Sequence, residues 1–149
     1  KELKSQKAVF DKNDVLFSKL RPYLKKYLFA EFSGVCTTEI WVLKTAKGIE
    51  NKWLYYLIQS DKIIETANQS TGTKMPRAEW KIVGNTEILV PPTYEEQTAI
   101  ATILSDMDAE ISQLEGRRAK MGELKQGMMQ ELLTGRIRLV SNENLLNHT

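Results

Sequence analysis

The sequence predicts an α+β protein: a small mixed α/β domain followed by one long coiled-coil-forming helix. Three observations carry this. Short β-branched and aromatic runs, punctuated by proline and glycine, fill the first 92 residues. Thr93-Tyr94-Glu95-Glu96 fits a helix-opening capping box. From there to Leu133 there is no proline. The expected boundaries are 1–92 for the domain, 93–135 for the helix and 136–149 for a tail.

Residues 1–13 are polar and lysine-rich, without a periodicity that predicts an element. Asp14–Leu20 and Tyr27–Phe32 are apolar runs separated by Arg21-Pro22, and the proline disfavours a helix through this point. Two strands joined by a basic loop are expected. Val35–Lys44 is rich in β-branched and aromatic residues, which predicts a third strand closed by a turn at Ala46-Lys47-Gly48. Trp53, Leu54, Leu57 and Ile58 recur at helical spacing, and Asp61 can open a second short helix through Ile64. These helices are expected to cover a small sheet. Asn68–Pro76 reads as a polar loop, Arg77–Trp80 as a helical turn and Glu87–Val90 as a last strand stopped by Pro91-Pro92.

In the capping box the Thr93 hydroxyl accepts from the Glu96 amide while the Glu96 carboxylate returns the bond, and acidic residues suit the positive end of the helix dipole. Thr134-Gly135 supplies the terminating signal. Ile100, Met107, Leu114, Met121 and Met128 form a column at spacing seven. Leu104, Ile111 and Leu132 form its companion, with Arg118 and Lys125 as polar members that would set register and could meet Glu115, Glu123 or Glu131 of a partner. Gly116, Gly122 and Gly127 weaken the far half of the helix by about 1 kcal/mol each. A helix folded back on its own domain is the alternative, but the first 92 residues are short of matching apolar surface.

With 149 residues, 42% hydrophobic and 27% charged, the chain can bury one modest core. No run approaches the roughly 20 apolar residues that span a bilayer, and no signal-like segment opens the chain, so a cytoplasmic protein without membrane association is expected. Cys36 reads as a buried structural thiol, and His148 is the one histidine. Zinc sites and histidine-dependent triads lack their residues, and neither metal nor cofactor is expected. The net charge of +2 hides a division: residues 1–92 carry 15 Lys/Arg against 10 Asp/Glu, and residues 93–133 carry 4 against 8. A basic domain is the footprint of a phosphate-binding surface.

Two loops are candidate sites. In the first, Lys19, Arg21, Lys25 and Lys26 are interleaved with Tyr23. Such cations can meet phosphates and offer Arg21 or Lys19 to guanine in the major groove; a solvated basic turn is the bland alternative. In the second, Ser70, Thr71, Gly72 and Thr73 precede Lys74 and Arg77. Hydroxyls and amides around a glycine suit phosphate oxygens, but the spacing is not that of a P-loop, so nucleotide hydrolysis is a poor reading. Asp106, Asp108 and Glu110 lie on mixed helical faces, as on a solvated surface. No residue set supports an enzyme.

In order along the chain, Asp14-Val15-Leu16-Phe17-Ser18-Lys19-Leu20-Arg21-Pro22-Tyr23, Ser70-Thr71-Gly72-Thr73, Val90-Pro91-Pro92 with Glu95-Glu96-Gln97-Thr98-Ala99-Ile100-Ala101, and Leu132-Leu133-Thr134-Gly135 resemble the specificity subunit of Type I restriction-modification systems. The likeness runs from about Asp14 to Val140. It implies a target recognition domain that reads one half of a bipartite sequence in double-stranded DNA, with long helices that pair antiparallel as a spacer. It implies no catalytic role, methyltransferase subunits bound around the specificity subunit, and a restriction subunit that cleaves. By position it places the two loops towards DNA. One helix and less than a full domain depart from the family's two-domain pattern, so a partial subunit is expected, able to form a homodimer through Ile100, Leu104, Met107, Ile111, Leu114, Arg118, Met121, Lys125, Met128 and Leu132. A protein-interaction module with a merely solvated basic domain is the competing reading.

Overall fold

The structure, a computed structural model, describes residues 7–69 and 75–140. It divides into two compact units, Lys1–Leu104 and Ser105–Thr149. The element order is β1 (Lys7–Phe10), β2 (Val15–Ser18), a single 3-10 turn (Pro22–Leu24), β3 (Tyr27–Phe29), β4 (Gly34–Thr37), β5 (Ile40–Leu43), α1 (Asn51–Leu57), α2 (Asp61–Asn68), α3 (Trp80–Val83) and α4 (Tyr94–Leu133).

The strands form two antiparallel sheets, one of β1 and β4 and one in the order β3-β2-β5. Central β2 alternates between two apolar layers. Val15 and Phe17 join Ile58, Ile63, Ile64, Ala67 and Ala78 under the helices, while Leu16 faces Phe10 and Ala30 in a second cluster with the other sheet. The expected pair of helices does cover the sheet. Phe17 stacks on Trp41, and Trp80 of α3 meets Trp41 edge-on at 5.3 Å. Gly34 lies opposite Phe10, where an added Cβ would come within 2.9 Å of the ring. The glycine is therefore required by close approach.

Four sequence expectations need correction. Residues 7–10 form a strand, though Val9 points outward at 67% exposure. The run 35–44 is two strands in different sheets, broken at Thr38-Glu39. Glu87–Val90 is no strand: it has no pairing partner among the described residues, Ile88 alone packs on the core, and Leu89 is 98% exposed. Arg77–Trp80 is no helical turn: Arg77 bridges Leu20, and the helix begins at Trp80 as α3. Cys36 is half-buried against the second cluster. His148 lies outside the described residues.

α4 spans 40 residues, about 60 Å at 1.5 Å per residue. Thr93 Oγ1 accepts from Glu96 N at 3.2 Å, but no described bond returns from the Glu96 carboxylate, so half of the capping box forms. Gln97 is the principal anchor at this end. Only 2% exposed, its Oε1 accepts from Glu50 N at 2.8 Å, and its Nε2 donates to Pro91 O at 3.1 Å and Gly48 O at 3.3 Å. Ala101, one turn on, is buried beside it. At the far end Gly135 takes a φ of +74°, the left-handed conformation that ends helices. Glu131 pairs with Arg136 at 2.8 Å, which engages one of the carboxylates expected to face a partner. No described helix is long and apolar enough to cross a membrane.

Candidate nucleic-acid interface

The loop between β2 and β3 is shaped by backbone bonds. Ser18 N donates to Lys26 O at 3.0 Å, closing the loop, and Lys25 N donates to Pro22 O at 2.9 Å inside it. Arg21 and Lys25 flank the 3-10 turn with φ of 53° and 50°, left-handed values that non-glycine residues adopt at some cost. The Pro22 ring is fully buried and plugs the loop onto the core, which leaves Tyr23, Lys25 and Lys26 exposed and Lys19 half-buried.

A segment more than 50 residues away pairs with this loop. Leu20 forms an antiparallel bridge with Arg77, flanked by Arg21 N to Pro76 O at 2.8 Å and Ala78 N to Lys19 O at 2.8 Å. Ala78 is buried in the main cluster. On the other side Lys19 N donates to Glu39 O at 2.9 Å. Three segments thus meet at one place on the surface, and Arg77 of the second candidate loop is brought to Lys19 and Arg21 of the first. Ser70, Thr71, Gly72, Thr73 and Lys74 lie outside the described residues.

Acidic neighbours temper the charge. Arg77 Nε lies 3.1 Å from Glu39 Oε2, and Lys25 Nζ lies 3.7 Å from Asp61 Oδ1 with both groups exposed. Such an exposed pair is worth little and yields readily to a phosphate. No described carboxylate lies within ion-pair distance of Lys19, Arg21 or Lys26. Sequence reasoning missed Glu39 and Asp61. The signal for Glu39 was a lone acid among the otherwise uncharged residues Val35–Leu43; Asp61 gave none, since it reads as a helix start.

On α4, Met107, Ile111, Leu114, Met121 and Met128 are each at least half exposed, and Arg118 and Lys125 are exposed. Ile100, Leu104 and Leu132 are half-buried. Near the end Met121, Leu124, Lys125, Met128, Met129, Leu132 and Leu133 line an apolar groove of about 320 Å³. Among the described residues no cluster of His, Cys, Asp and Glu could hold a metal ion.

Paired backbone from three segments thus presents several cations at one surface. The chain belongs to the family described as the Type I restriction modification DNA specificity domain, whose model matches residues 2–121. Among its relatives is the MjaVIII specificity subunit of a Type I restriction enzyme from Methanocaldococcus jannaschii, 40% identical over 81 residues that cover 53% of this chain and 19% of that protein. The EcoDI specificity subunit from Escherichia coli is 22% identical over 137 residues, covering 89% and 30%. A solved chain from work on complex assembly and conformational transition of the type I R-M system superposes with a TM-score of 0.72 at 26% identity, covering 88% of this chain and 35% of that one. The chain thus spans 19 to 35% of the length of these relatives.

Proposed function

We propose that this chain is a DNA-reading portion of a Type I specificity subunit. Residues 1–92 form a target recognition domain that reads one half of a bipartite sequence in double-stranded DNA, 93–135 form the spacer helix and 136–149 a tail. Lys19, Arg21, Tyr23, Lys25 and Lys26, together with Ser70, Thr71, Gly72, Thr73, Lys74 and Arg77, make the DNA contacts. The chain is itself non-catalytic and acts in the cytoplasm with methyltransferase and restriction subunits. A second copy pairs through the seam running from Ile100 to Leu132.

The observation that carries this reading is the pairing of Lys19–Arg21 with Pro76–Ala78, which joins two basic segments distant in sequence into one braced surface. Membership of the DNA specificity family supports it. Exposure of five seam residues supports the pairing of helices, because a bare apolar stripe of that length favours a partner.

The test is duplex-DNA affinity against salt. Phosphate neutralisation makes log affinity fall with log salt by about 0.9 per contact. Replacing Lys19, Arg21, Lys25 and Lys26 with glutamine lowers affinity and flattens that slope by up to about four contacts. Wild-type affinity that ignores salt, or a quadruple variant with unchanged slope, refutes the assignment and favours a protein-interaction module.

A further inference from the structure

Among the cations at this surface, Arg77 has the closer side-chain ion pair, 3.1 Å against 3.7 Å for Lys25, and it sits in the segment that bridges to Leu20. Its chain neighbours are tied on either side, through Pro76 O to Arg21 N and through Ala78 N to Lys19 O, each at 2.8 Å. Its side chain forms an ion pair with Glu39, whose Oε2 is shielded from solvent, lies 3.1 Å from Arg77 Nε and makes no hydrogen bond. Glu39 is tied in turn by its own carbonyl to Lys19 N at 2.9 Å. Yet the Arg77 side chain remains 59% exposed. The pair is closest at Nε, and the Nη atoms have no described partner.

A largely exposed guanidinium, paired with a carboxylate near Nε and with no described partner at its terminal nitrogens, can supply the fork that matches the two acceptors, O6 and N7, that guanine presents in the major groove. Phosphates make weaker geometric demands, and unpaired cations such as Lys19, Arg21 and Lys26 suit them. We infer, resting on the DNA-reading function above, that Arg77 reads a guanine and that Glu39 is its positioning residue. Glu39 would otherwise be a liability, since a carboxylate at a phosphate-binding surface repels its ligand. Its effect is to restrict the rotamers of Arg77, so that less side-chain entropy is lost on forming the forked contact.

The test uses the whole chain with a pool of duplex DNA randomised over its central base pairs, sequencing the bound fraction, beside affinity for unselected duplex. The expected wild-type result is an enriched motif with a required guanine. Arg77→Lys keeps the charge but cannot form the fork, and should lose discrimination at that guanine by about tenfold or more. Glu39→Gln should relax the same position while affinity for unselected duplex holds or rises, because a negative charge is removed. Lys26→Ala should weaken binding uniformly and leave the motif intact. Melting temperatures matching wild type show that the variants fold, and a merely structural role for Glu39 would not change preference at one base. A motif whose guanine survives both Arg77→Lys and Glu39→Gln overturns the inference and leaves DNA reading standing, whereas wild-type binding with no enriched motif overturns sequence reading along with the inference. No binding of any duplex at low salt overturns both readings.

Discussion

Replacing Gln97 with leucine tests what fixes the start of α4. The side chain is 2% exposed, and the two residues have similar volume, so leucine removes three hydrogen bonds while leaving little cavity. Glu50 N–H, half-buried, is left without its 2.8 Å partner, at a cost of about 1–3 kcal/mol. The carbonyls of Gly48 and Pro91 lose one partner each but keep a second lone pair, and together add about 1–2 kcal/mol. Extra apolar burial by leucine offsets about 1 kcal/mol, for a net loss of about 3 kcal/mol. In a unit of about 100 residues each kcal/mol shifts Tm by about 4–8 °C, so a fall of about 12–24 °C is expected. Tryptophan fluorescence reports the transition, because Trp53 is buried and its amide donates to the Glu50 carboxylate at 2.5 Å. A Tm within about 2 °C of wild type would show that packing of Ala101 and its neighbours, and not the amide, seats the helix.

The other expectations concern the helix and one surface charge. Leu114→Glu places a charge in the exposed seam, and sedimentation should show a wild-type dimer at micromolar concentration converted to monomer; a wild-type monomer at high micromolar concentration refutes pairing. Gly116, Gly122 and Gly127 have open space where a Cβ would stand, so each change to alanine should stabilise the distal helix by about 1 kcal/mol, read as greater helical circular dichroism on heating. An unchanged or lower signal would mean that these glycines accommodate a close partner. The Asp11 and Asp14 carboxylates hold the Lys44 ammonium, raising its pKa above the ordinary 10.5. Its folded pKa exceeds the unfolded one, so the stabilisation is complete below about pH 10.5 and is lost as pH rises through the raised value. Lys44→Met should remove that part of the alkaline slope in denaturant titrations, and an identical slope would dismiss the pairing as energetically idle.

What the sequence could disclose depended on how local each signal was. β2 and β3 were legible because their apolar runs are bounded by Arg21-Pro22, and α4 because its heptad columns and capping threonine are contiguous. β1 was hidden because Val9, which points outward, is as apolar as the inward Ala8 and Phe10, which erases the polar–apolar alternation expected of a half-buried strand. The break between β4 and β5 was hidden because Thr38-Glu39 contains no turn-forming glycine, proline or asparagine. Gln97 passed for a surface residue because an amide on an amphipathic helix usually is one, and its partners lie 6, 47 and 49 residues away. The basic loop was legible from composition. Its pairing with Pro76–Ala78 was not, because a bridge between distant backbones leaves no mark on side-chain type.

The bonds that shape the loop at Lys19–Lys26 run between main-chain atoms, and of its side chains Pro22 alone is fully buried. Shape and chemical content are therefore separable here. The amino acids at positions 19, 23 and 26 can be exchanged while the frame that displays them keeps its conformation, whereas the left-handed φ at Arg21 and Lys25 disfavours β-branched residues there. A surface built this way can acquire a new preference by a few substitutions without first passing through an unstable intermediate. For laboratory reprogramming, the place to diversify is the display positions, with Pro22, Pro76 and Ala78 held constant.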